Sequence, residues 1–237
     1  MDKHTCLFAH QIDPVATDHI QKRKVCGLLL HTCGRTIVEK AIRAGRDPLE
    51  VELAWCAESQ SGAAHGYKWG GPTYVLDVTG DLYQLCSEEI MTAHAGDGGN
   101  GDRADYLDGD WVARAKPNGL AFWRQQWPTF SSPSHLYASK SPNIDYVGVE
   151  MIPTVPGRGE PMFTGMLFTA AQHMACVKLA QDMATRYGWQ PGWAKGPRLL
   201  GHEDVQLLQR QDAGGGWDPG WLRARPYFDM GWVRARV

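Results

Sequence analysis

The sequence predicts one α/β domain with a mixed central β-sheet flanked by helices. Three observations carry that expectation. Runs that read as strands occur at Val25–Leu30, Asn143–Ile152 and Leu199–Leu200. Two stretches have the spacing of a helix-starting capping box, Thr36 to Glu39 and Thr169 to Gln172. No internal repeat, low-complexity tract or linker divides the chain.

Composition narrows the class. The 237 residues are enough to bury most of their apolar surface in one core. Hydrophobic residues make up 43% and charged residues 21%, ordinary for a soluble globular protein. The formal net charge of −2 gives no electrostatic reason to expect nucleic acid or an anionic membrane as partner. No apolar stretch approaches the roughly 20 residues of a membrane-spanning helix. The N-terminus lacks a basic segment followed by an apolar core, so the expected location is the cytoplasm of the producing cell. Six scattered cysteines without a Cys-x-x-Cys pair read as thiols of a reducing compartment.

In chain order, residues 1–24 form a polar arm whose His4, His10 and His19 have no fixed spacing, and 25–237 form the domain proper. The Val25–Leu30 strand delivers His31, followed by a turn and a helix from Thr36 towards Ala44. A histidine at the carboxyl end of such a strand is where open α/β sheets tend to place function. Thr73 to Leu85 reads as a hairpin around Val78–Asp81. His94 then stands among small residues, Ala93, Ala95 and Gly96. Residues 97–142 form a long insertion, rich in glycine and aspartate and then in Trp111, Trp123, Trp127 and Tyr137. Its tryptophans suit either stacking on sugar rings or a small satellite core.

Asn143 to Ile152 is a further strand candidate. Glu150 interrupts its apolar run, and a carboxylate there suits a general base. Thr169 opens a helix with a core-facing stripe at Cys176, Leu179, Ala180, Met183 and Tyr187, stopped by Gly188. His173, in its first turn, is expected to be structural. Leu199–Leu200 presents His202, followed by a glycine-rich loop ending in Asp218, Pro219 and Gly220. A strand-end histidine with a loop carboxylate is half of what an open zinc site needs, and a further ligand has to come from elsewhere in the chain.

His31 after its strand, the Tyr74 hairpin, Ala93-His94-Ala95-Gly96, the strand ending at Glu150, and Gly201-His202-Glu203-Asp204 before Asp218-Pro219-Gly220 occur in a telling order. Together they resemble the zinc-dependent N-acetylmuramoyl-L-alanine amidases of the amidase-2 family, which share a fold with peptidoglycan recognition proteins and some phage endolysins. The resemblance covers roughly residues 25 to 230. It implies Zn2+ as cofactor, held by His31, His202 and Asp218, and peptidoglycan or a muropeptide as substrate. It further implies Glu150 and Tyr74 as catalytic groups, and His94 beside the substrate cleft.

The sequence departs from the family in three places. Thr73 stands where a histidine often precedes the tyrosine. Gly216 replaces a lysine common two residues before the third ligand. Asp218 lies 218 − 202 = 16 residues beyond His202, a long spacing, whereas Asp212 lies 212 − 202 = 10 beyond it with Arg210 two residues earlier. Asp218 is favoured because the tripeptide and the later Phe228-Asp229 match the family's ending. Asp212 is the alternative ligand, and Arg210 the expected substrate contact. The same scaffold also supports a different class of function, a module that binds muropeptide without cutting it.

Overall fold

The computed structural model describes residues 4–12, 23–33, 35–60, 71–95, 106, 109–139, 141–154, 158–159, 167–208 and 228–237. Six strands form one sheet: β1 (His10–Gln11), β2 (Gly27–Thr32), β3 (Tyr74–Leu76), β4 (Leu82–Gln84), β5 (Tyr146–Met151) and β6 (Leu199–Gly201). Their spatial order is β1-β4-β3-β5-β2-β6. Among the described residues only the β3–β4 hairpin pairs antiparallel; the other four strand pairs are parallel. The expected mixed α/β sheet is therefore present. The polar arm contributes to it, since His10 and Gln11 extend its edge beside β4.

Alternation along the strands sorts side chains onto two faces. Leu28 and Leu30 of β2, Val147, Val149 and Met151 of β5, and Tyr74 and Leu76 of β3 lie on one face. The helix Ala170–Arg186 covers it with Cys176, Leu179, Ala180 and Met183, the stripe expected from the sequence. The capping box at its start is formed: Thr169 Oγ1 accepts from the Gln172 amide, and Gln172 Oε1 accepts from the Thr169 amide.

The opposite face carries two separate apolar clusters. Leu29, Tyr146 and Leu200 pack with Trp111, Trp123, Trp127 and Leu136 of the insertion. The other cluster joins Val75 and Ile152 to Val38 of α1 (Arg35–Arg43) and Cys56 of α2 (Pro48–Gln60). Trp111, Trp123 and Trp127 are all buried, so the insertion's tryptophans build a satellite core rather than a sugar platform. Between these clusters lies a seam onto which His31 and Glu150 project, aligned with each other across β2 and β5.

One expectation needs correcting. Residues 143–145 do not begin a strand: a short helix, Pro142–Asp145, precedes β5. Ser141 caps it by accepting from the Asn143 amide, and Pro142 at the first helical position is pre-set for that turn. All six cysteines are free, as expected for reduced thiols.

Candidate active site

Three histidines from distant parts of the chain meet in the seam. His31 comes from the end of β2, and His202 opens the short helix His202–Val205 directly after β6. Both are buried, because β6 lies against β2 in parallel register and brings the two strand ends together. The loop after β4 supplies His94, whose backbone is pinned by Asn143: the side-chain Oδ1 accepts from the amides of His94 (3.0 Å) and Ala95 (2.8 Å). Its ring lies directly over Gly148 of β5, where any Cβ would collide with it.

The hydrogen bonds determine which nitrogen of each ring carries a proton. His94 Nε2 is 2.9 Å from the Tyr146 carbonyl oxygen, which can only accept, so Nε2 carries the hydrogen. Burial, reinforced by the charge of Arg23, pushes the His94 pKa well below its ordinary value, so the ring is neutral and its Nδ1 is an acceptor. His31 Nε2, 2.8 Å from that Nδ1, is therefore the donor. On the other side, Gln206 Nε2 donates to the Ala95 carbonyl at 2.7 Å, which turns Gln206 Oε1 towards His202 Nε2 and makes that nitrogen a donor.

Both ends of this chain are anchored on backbone carbonyls, and the consequence falls in the middle. His31 Nδ1 and His202 Nδ1 lie 2.8 Å apart, and the partners of the other two nitrogens leave each Nδ1 presenting its lone pair. Two lone pairs at that distance call for a positive centre between them, either a shared proton or a metal ion. Nitrogen–zinc bonds of about 2.0–2.1 Å at a tetrahedral angle need the two nitrogens to part by only about half an ångström more. Two neutral imidazole nitrogens are donors of the kind zinc takes, and Gln206 and His94 hold the two rings in orientation from outside. Among the described residues no group of three or more His, Cys, Asp or Glu is placed to hold a metal, because His94 meets the far nitrogen of His31 rather than the pair.

His202 is held from behind as well. Asp204, buried at the third position of its helix, accepts from the Gly201 amide and forms an ion pair with Arg234 at 3.2 Å. Trp127 donates to the same carboxylate and Trp123 to the Asp204 carbonyl, both at 3.0 Å. The insertion thus clamps the turn that presents His202, a role that aromatic density in the sequence does not by itself specify.

Glu150 shares the seam face with His31, in register with it, and is partly exposed. Two sequence-based candidates are not brought there in the expected way. Tyr74 is corrected: it aligns with Val149, on the opposite face of the sheet, fully buried, and its hydroxyl donates to Glu88 at 2.6 Å. His94 does reach the seam, but with both its ring nitrogens engaged by the protein. Arg210, Asp212 and Asp218 lie outside the described residues.

Sequence reading missed Gln206 and the buried Arg23. Gln206, four residues after His202, had a usable signal in its helical spacing from a candidate ligand. Arg23 donates to the carbonyls of Glu88, Asn143 and Tyr146 and to Thr73 Oγ1, and desolvation lowers its pKa to about 10. Nothing in a polar arm marks it for burial.

Compared with known proteins, the chain matches the sequence model of the N-acetylmuramoyl-L-alanine amidase family over residues 21–221, a span that includes every candidate above. No curated protein matches it. A selenomethionine derivative of AmpD has a similar structure, with a TM-score of 0.51 at 16% identity, covering 100% of this chain and 98% of that one. The endolysin N-acetylmuramoyl-L-alanine amidase LysCS from Clostridium intestinale URNW gives a TM-score of 0.49 at 12% identity, over 98% of this chain and 96% of its own.

Proposed function

This chain belongs to the N-acetylmuramoyl-L-alanine amidase family, and from that premise we propose that it is a zinc hydrolase of peptidoglycan or its muropeptides. The bond cut is the amide joining the lactyl group of N-acetylmuramic acid to L-alanine of the stem peptide. The observation that carries the reading is the convergence of the His31 and His202 Nδ1 lone pairs, with every other ring nitrogen committed to a hydrogen bond.

In this reading His31, His202 and Asp218 hold zinc, which when bound supplies Lewis acidity towards the scissile carbonyl and towards water. Glu150 takes a proton from the attacking water and later passes it to the departing amine, as a partly exposed carboxylate beside the histidines can. His94 keeps the hydrogen of His31 on Nε2, and Gln206 keeps that of His202 on Nε2, so that the two Nδ1 atoms face each other. Arg210, eight residues after His202 in the sequence, is assigned to substrate contact. The apolar clusters on either side of the seam keep bulk water from the inner sides of the rings.

The test combines metal content with product identity. Purified protein is expected to hold about one zinc per chain, and digestion of sacculi and of soluble muropeptides to release free stem peptides, read by mass. Glu150→Gln should retain zinc and lose about 10²–10⁴-fold in rate. Full activity in that variant overturns the assignment of Glu150. A protein that binds muropeptide, holds no zinc and releases no peptide is the non-catalytic module instead.

A further inference from the structure

A second feature lies at the opposite edge of the sheet, where β2, β5 and β6 begin. The helix Ala170–Arg186 ends there, and Gly188 and Gly192 take left-handed φ values of 62° and 82° that turn the following loop back on itself. The loop sets out three aromatic rings in a row. Tyr187 stacks with Trp189 at a centroid distance of 6.2 Å and an interplanar angle of 23°, and Trp189 meets Trp193 at 5.0 Å and 59°. All three are only partly buried, unlike the insertion's tryptophans.

These rings line a cavity of about 580 Å³ together with Lys24 and Arg198. The volume is that of a site for a small organic ligand. A second cavity of about 380 Å³ continues from it, sharing Lys24, Val25 and Arg198. Arg198 stands at the junction: its guanidinium lies 5.1 Å from the Trp189 ring centre, and Nη1 donates to the Cys26 carbonyl at 2.9 Å. Lys24 is exposed beside it. A trough of two cavities joined at a pair of cations, with an aromatic wall along one of them, suits an extended ligand that is both flat-faced and anionic.

We infer that this trough is a second binding site, for a glycan strand that bears acidic stem peptides, separate from the histidine centre and resting on the amidase reading. Sugar rings present C–H faces whose partial positive charge suits the negative faces of tryptophan and tyrosine. Lys24 and Arg198 pair with carboxylates of the stem peptides that the strand carries. No long basic groove is formed: the chain carries a net charge of −2, Arg23 in the wall of the first cavity is buried, Asp145 in the second accepts from Ser139, and Lys24 and Arg198 sit together at the junction. The site would hold the enzyme on an insoluble wall while the histidine centre, at the other end of the same strands, works on a stem peptide.

The experiment uses the full chain carrying Glu150→Gln, so that binding is read without cutting, with purified sacculi as the probe in a sedimentation assay. Adding Trp189→Ala or Lys24→Glu is expected to weaken sacculus binding at least tenfold. In the otherwise wild-type enzyme the same two changes are expected to leave hydrolysis of a soluble muropeptide within twofold. Lys24 is exposed, so Lys24→Glu keeps the test valid if Trp189→Ala fails to fold. Unchanged sacculus binding in Lys24→Glu overturns the inference. An equal fall in sacculus binding and soluble turnover overturns it too, because the change then acts through the whole fold. Failure of the wild-type enzyme to cut muropeptide would count against the amidase reading alone, since the binding arm does not depend on turnover.

Discussion

His31 Nδ1 faces His202 Nδ1 at 2.8 Å, with the hydrogens of both rings held on their far nitrogens. The pair is 171 residues apart in the chain and adjacent only because β6 aligns with β2. As the proposed metal seat, the pair depends on groups that would not touch the metal, and these groups can be tested singly.

Gln206 is the first. Its amide is locked by the Ala95 carbonyl, so its oxygen holds the hydrogen of His202 on Nε2. Gln206→Leu is expected to weaken zinc binding about 10–100-fold, the usual effect of losing an outer partner of a ligating histidine. Competition with a chromophoric chelator measures it. Unaltered affinity would show that His202 keeps its tautomer without Gln206.

Gly148 is the second. A methyl group there would occupy the space of the His94 ring, and neither backbone nor ring has room to yield without breaking the contacts to His31 or to Tyr146. Gly148→Ala should cost about 1–3 kcal/mol of stability and lower zinc affinity as well. Denaturant melts with and without chelator separate the two effects.

Tyr74 provides a negative test of the active site. Its hydroxyl serves a buried carboxylate, Glu88, which also takes Tyr187 at 2.6 Å and Arg186 at 2.6 and 2.8 Å. Tyr74→Phe should destabilise the fold by about 1–3 kcal/mol, because one partner of a buried charged acceptor is removed. The rate constant on soluble muropeptide should not change. A loss of more than tenfold in kcat with stability intact would return Tyr74 to the catalytic machinery.

His173 sets a pH dependence. It is fully buried, receives the Asp229 amide on Nε2 at 3.0 Å and has Nδ1 on the Thr169 carbonyl at 2.8 Å. Burial lowers its pKa from 6.5, against the opposing pull of that carbonyl and of Asp229. Above pH 6.5 both folded and unfolded chains carry a neutral ring and the stability is complete. Below it the unfolded chain takes up a proton that the folded ring resists, so stability falls as pH drops towards the folded pKa. The slope for this one group cannot exceed about 1.4 kcal/mol per pH unit. Urea melts between pH 7.5 and 5.5 should fall more steeply for the wild type than for His173→Gln.

Local rules made much of the molecule legible in advance. The strand at Val25–Leu30, the Tyr74 hairpin and the capped helix at Thr169 depend on hydrophobic period, turn residues and neighbouring hydrogen bonds, all of which lie within a few residues of each other. The same rules misplaced Asn143 and Asp145, where the Ser141 cap and Pro142 outweighed an apolar run, and they gave Arg23 no reason to be buried.

The sequence by itself determined the set of candidates, because the order of His31, His94, Glu150 and His202 along the strands and loops is written in the chain. Tertiary structure alone decided which of them meet. Strand parity put Tyr74 on the face away from His31 while register put Glu150 beside it, a distinction that turns on a single residue of alternation. Packing across the sheet decided the tautomers, since Tyr146 and Ala95 supply carbonyls from segments far from the rings they anchor. A proton's position on an imidazole follows from what its other nitrogen touches, and that contact exists only once the chain has folded.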